Sequence, residues 1–169
     1  LEDIEILHAL HEWKVEADYS SAVRLLEPFV RQLEQKEDSL ANRNKYYRPL
    51  SYLKEKLLLW EIKQQVDSVN VGDSVRPYLK KDMLEGVYCD DGRRTYYWEG
   101  NQMINTLIAY RIIKNDPSLC KLKENMQLYI LRTKERGWNT YQASSAVATV
   151  LTDLLAGSGG MSGTSVSVS

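Results

Sequence analysis

Apolar residues recur at steps of three and four along most of this 169-residue chain. That spacing constrains the fold more than any other feature, because a stripe of period 3.6 is the buried face of an α-helix. Leu1, Ile4, Leu7 or His8, and His11 predict a first helix to about residue 17. Asp18 or Ser20 can cap a second that carries Val23, Leu26, Val30 and Leu33 on one side. Pro28 falls inside that pattern and is expected to bend the helix or delay its start, since proline removes a backbone donor. After a charged stretch at 34–45, a third helix is expected to begin near Pro49, which suits a first turn, and to carry Leu53, Leu57, Trp60 and Gln64.

A fourth helix is expected over "VGDSVRPYLKKDMLEGV", capped by Asp73 or Ser74 and ending near Gly86. The pattern then breaks. "VYCDDGRRTYYWEG", with Asp91-Gly92 flanked by aromatics, predicts a hairpin-like insertion near residues 88–98. Three more amphipathic runs follow: "NQMINTLIAYRIIK", then "PSLCKLKENMQLYILRTKE" entered at Asp116 or Ser118, then "GWNTYQASSAVATVLTDLLAG". The expected fold class is all-α, with about seven helices over residues 1–156. Residues 157–169 are Gly/Ser-rich and too poor in apolar side chains to pack, so they are expected to be a linker leading to a possible β domain. Tyr47, Trp98 and Trp138 each precede a helix start, and Gln102 and Gln142 each follow a tryptophan by four residues. These echoes lie 51 and 40 residues apart, unlike tetratricopeptide repeats at about 34.

The charge balance narrows the function classes. With 22 basic and 23 acidic residues, the chain has no global positive field for neutralising phosphates, so no nucleic-acid partner is expected. Apolar stretches such as "LLLW" and "AVATVL" fall far short of the ~20 residues of a membrane span. The chain opens in "LEDIEILHALHEW" without a targeting pattern, so such a signal was removed or the chain is an excised piece. Cys89 and Cys120 lack CxxC spacing; one disulfide remains open if the fold brings them together.

Three groupings carry possible chemistry. His8 and His11 stand one turn apart and could share a metal with a third ligand, but they lack the acid of zinc-protease motifs, and packing or surface roles are expected. Asp90 and Asp91 are followed by Arg93 and Arg94, whose charge opposes a cation, so a tight turn is expected. The aromatics of "TYYWEG", with Trp138 and Tyr141, could line a groove, although rings at helix entrances more often clamp a helix to its neighbour. No phosphate loop and no nucleophile, base and acid set can be nominated. No catalytic residue, metal or cofactor is assigned.

The run "MLEGVYCDDGRRTYYWEGNQMINTLIAYRIIKNDPSLCKLKENMQLYILRTKERGWNTYQASSAVATVLTDLLAG" resembles the later part of the alpha/alpha toroid in bacterial alpha-2-macroglobulin-like proteins. Tyr97-Trp98 leading into "NQMINTLIAYRII", then "MQLYILRTKERGW", then "WNTYQASSAVATVLTDLL" carry the resemblance, which spans roughly residues 50–157. It implies a partial toroid within a protease trap of the cell envelope or periplasm, with neighbouring domains of a longer polypeptide and a target protease as partners. The family's thioester motif is Cys-x-Glu-Gln; Cys89 and Cys120 are followed by other residues, so the resemblance assigns no covalent capture here. Trp60, Trp98, Gln102, Trp138 and Gln142 are expected to be structural. Trp138 is expected to cap an inner helix whose small residues Ala143, Ser144, Ala146 and Ala148 pack closely; its replacement by alanine is expected to cost about 3 to 5 kcal/mol if the ring is buried. Two other readings stand beside this one: a toroid enzyme or subunit acting on a polyisoprenoid or glycan, and a helical module that binds a peptide.

Overall fold

The structure is a computed structural model and describes residues 1–95, 102–134 and 137–158. Within them the fold is predominantly α-helical. Helices α1 (Glu2–Glu12), α2 (Tyr19–Arg43) and α3 (Leu53–Asp67) are followed by the single turn α4 (Gly72–Val75) and a 3₁₀ turn at Arg76–Tyr78. Strands β1 (Leu79–Lys81) and β2 (Val87–Cys89) pair antiparallel with Leu79 opposite Cys89. Then come α5 (Gln102–Ile113), α6 (Cys120–Thr133), α7 (Thr140–Ala146) and α8 (Thr152–Ser158). A π-helical turn at Val147–Leu151 joins α7 and α8 into one continuous helix. Counting that helix once, the described residues hold seven α-helices.

Helix α3 is the hub, packed against α1, α2 and α5. Its Leu57 and Ile62 are fully buried, each contributing about 1.5 to 3 kcal/mol by leaving water. Helix α5 departs from the amphipathic expectation. Met103, Asn105 to Tyr110, Ile112 and Ile113 are all buried, because α3, α4, α6, α7 and β2 surround it. A helix that is apolar all round belongs in the interior. Thr106 ties strand to helix: its hydroxyl accepts from the Cys89 amide at 3.0 Å and donates to the Gln102 carbonyl at 2.7 Å.

The caps at Asp18 and Asp116 follow the sequence, whereas Asp73 and Ser74 lie inside α4, whose N-cap Val71 supplies no side-chain bond. Asp18 caps α2 by accepting from the Ser21 amide at 3.0 Å. Asp116 accepts from the Ser118 amide at 2.9 Å and opens the 3₁₀ turn before α6. Helix α1 stops at Glu12, short of residue 17, because Lys14 takes a left-handed φ of 56°. Pro28 does not delay α2, which runs unbroken through it and takes in nearly all of the charged stretch at 34–45. Pro49 lies ahead of α3, not in its first turn; its carbonyl accepts from the Arg94 amide at 3.1 Å, which holds the chain extended there.

The largest difference lies at 72–89. The expected fourth helix lasts one turn, and the hairpin begins ahead of residue 88, with its turn at 82–86. Asp82 is the cause: its Oδ1 accepts from the Leu84 and Gly86 amides at 2.8 and 2.7 Å, and its own amide donates to the Gly86 carbonyl. A carboxylate that satisfies these amides competes directly with helical bonding. Glu85 completes the reversal with φ 64°.

Candidate functional site

An interhelical cleft of about 690 Å³ lies between α1 and the joined helix α7–α8, floored by α3 and α5. Small side chains open it: Ala9 on one wall, Ser144, Ser145 and Ala148 on the other. Trp13 and Tyr141 stand at its edges, 76% and 65% exposed. Lys54 on the floor pairs with Glu5 of α1.

Two of the cleft's lining side chains, His8 and Arg111, belong to a triad contributed by three helices. Glu61 of α3 is buried, yet carries a charge-accepting carboxylate between Arg111 of α5 and His8 of α1. Arg111 grips it bidentately, Nε to Oε1 at 2.6 Å and Nη2 to Oε2 at 2.8 Å. His8 Nε2 donates to Oε2 at 2.8 Å. Burial alone would raise the Glu61 pKa; the hydrogen bonds from Arg111 and then His8, with their charges, overcome that and hold it at about 2. Arg111 in turn is held above its ordinary value: burial pulls it down and the bond to Glu61 more than reverses that. A carboxylate gripped by three donors and held at such a pKa lacks the basicity that suits a general base near neutral pH. The arrangement is a clamp on α1, α3 and α5.

Glu37 is the other buried carboxylate among the described residues. It accepts from the Tyr47 hydroxyl and the Leu50 amide, both at 2.8 Å, and so fastens the segment before α3 to α2. Compared with known proteins, the chain matches no family model, no curated protein and no solved structure.

The expected structural residues are distributed over two places. Trp138 is half-buried against the core, and its indole Nε1 donates to Thr133 Oγ1 at 2.9 Å, tying the entrance of α7 to the end of α6. Gln142 closes a capping box with Asn139: the Gln142 amide donates to Oδ1 at 2.8 Å, and its side chain accepts from the Asn139 amide at 3.2 Å. Gln102 begins α5 and accepts from the Tyr129 hydroxyl of α6 at 2.8 Å. These three therefore share the end of the molecule where α5 begins and α6 finishes. Trp60 lies apart, its ring 6.1 Å from that of Tyr78, with Lys56 Nζ over both faces and bonded to Tyr78 and Glu34. Trp98 lies outside the described residues.

The remaining candidates resolve locally. His8 is committed to Glu61, and His11 meets the Tyr19 ring edge-on at 4.9 Å; among the described residues no three His, Cys, Asp or Glu side chains gather as a metal site would require. Asp90 and Asp91 fold a turn, accepting from the Gly92 and Arg93 amides at 3.0 Å each. Cys89 and Cys120 are both free thiols, the first buried and the second exposed. Burial, helped by Asp90 and Asp91, pushes the Cys89 thiol up to about 12. The clamp was missed by sequence reasoning, although one signal was present: Glu61 interrupts the apolar run "LLLWEI", where a charge must find a partner.

Proposed function

We propose that this chain is a non-catalytic helical domain of a bacterial macroglobulin-like protease inhibitor, built as the later part of an alpha/alpha toroid, that serves as a packing surface between neighbouring domains. The observation that carries this reading is the state of the buried acids. Glu61 and Glu37 are both consumed by internal donors, and the centre is filled by aliphatic side chains such as Leu57, Ile62, Leu107, Ile113 and Ile130. An enzyme that protonates a polyisoprenoid or cleaves a glycan needs carboxylates converging on an open cavity. Anchoring of α7 through Trp138 and Gln142 accords with the role the resemblance gives to those residues. The cleft edged by Trp13 and Tyr141 offers apolar area to an adjoining domain of the same polypeptide.

The test uses the natural polypeptide that contains this chain. It is incubated with a panel of endopeptidases, and each protease is assayed on a large protein substrate and on a small chromogenic peptide. Enclosure of the protease lowers cleavage of the large substrate and spares the small one. Unchanged cleavage of both across the panel sinks the inhibitor reading.

A further inference from the structure

We propose a second site, independent of the cleft: a small oxyanion pocket that binds a phosphate group through Arg48, Arg93 and Arg94. A concavity of about 400 Å³ is lined by these three arginines with Pro49 and Gly92, and no carboxylate of the described residues lines it. The backbone sets the arginines there. Arg94 donates from its amide to the Pro49 carbonyl at 3.1 Å and accepts from the Ser51 amide at 2.7 Å, pinning the 48–51 segment beside 92–94. Gly92 turns the chain at φ 73°, a conformation that places consecutive arginines on the rim and that other residues rarely adopt.

Among the described residues the donors outnumber their acceptors. Arg93 Nη2 pairs with Asp38 at 2.9 Å, while its Nη1 is shielded from solvent and has no hydrogen-bond partner among the described residues. A buried charged donor without an acceptor is costly. Arg48 and Arg94 are exposed and form no ion pair with any described carboxylate. Other acids of the neighbouring described segments are engaged elsewhere: Glu37 by Tyr47 and Leu50, Asp91 by Ser51 and the Arg93 amide, and Asp90 by Gly92 and Lys80. Planar guanidinium forks match the oxygens of a phosphate bidentately. Arg48 and Arg94 line the same concavity from the surface, where they can hold the outer oxygens of the same ion. The pocket holds one phosphate, and its solvent-facing mouth leaves room for an ester substituent to point outward.

The experiment follows the arginine Nε–Hε resonances of the chain by NMR during titration with inorganic phosphate, against sodium chloride at matched ionic strength. Saturable shifts confined to a few arginines are expected, and the doubly substituted R48Q/R94Q chain should bind about tenfold more weakly or worse. A parallel titration with glycerol phosphate distinguishes sources: equal or tighter binding identifies phosphomonoesters as the ligand class, and loss of binding restricts it to the free ion. Shifts that grow linearly without saturation, or that chloride reproduces, overturn the proposal, as does undiminished affinity in the double variant. Thermal melting verifies that R48Q/R94Q folds, and the single R48Q, at an exposed position, carries the same comparison if it does not.

Discussion

The two thiols have opposite reactivity because their surroundings differ. Cys120 is exposed at the first position of α6, whereas Cys89 is fully buried and its pKa is raised to about 12. Since the thiolate is the reacting species, Ellman's reagent should titrate one thiol in the folded chain and two in denaturant. Two fast equivalents without denaturant would contradict the burial of β2. Trp138 is half-buried, not enclosed, so replacing it with alanine should cost about 2 kcal/mol, below the range for core aromatics. A smaller loss should follow W138F, which keeps one aromatic ring against the core and removes the second ring together with the bond to Thr133. Denaturant midpoints of the two variants measure the division.

The elements show which sequence signals carried structural information. Helices α2, α3, α5 and α6 were legible because their apolar spacing persists over three turns or more, and Asp18 and Asp116 marked their caps through short-range bonds. The β-hairpin was misplaced because its signal is a single side chain: Asp82 gathers two amides, and such competition leaves no period in the sequence. The burial of α5 was equally hidden, since how many neighbours surround a helix is set by tertiary packing. Pro28 lies at an exposed position inside α2, where it denies the Arg24 carbonyl its helical donor. Pro28→Ala should therefore stabilise the chain by about 1 to 3 kcal/mol, read from thermal or denaturant unfolding. Destabilisation by P28A would mean that the ring makes packing contacts worth more than the missing bond.

For the whole molecule the decisive contact is the clamp of His8, Glu61 and Arg111, which joins residues 53 and 50 positions apart in sequence. Neither partner could be assigned from sequence, because i and i+4 spacing describes one helix and not three. Glu61 has a pKa of about 2 in the fold against an ordinary 4.5. Its contribution to stability is therefore complete above about pH 4.5 and is lost as pH falls toward 2. Glu61→Gln should remove that part of the acid dependence and, at neutral pH, cost about 1 to 3 kcal/mol by leaving the half-buried Arg111 charge in the cleft wall unpaired. Urea unfolding at a series of pH values measures both; an acid limb identical in the two proteins would show that other carboxylates control it.

The π turn at Val147–Leu151 has a consequence for chain length. Such a turn houses one surplus residue within an otherwise regular helix, here between Tyr141, which faces the cleft, and Asp153, whose Oδ2 accepts from the buried Tyr110 hydroxyl at 3.0 Å. Elsewhere in the helix, losing one residue swings everything beyond it by about 100°. Excising the exposed Val147 instead lets the loop of surplus backbone relax into ordinary α-helix, with both flanks still aimed as before. This five-residue stretch is thus the place where the last helix can shorten by a single codon without turning Asp153 away from Tyr110.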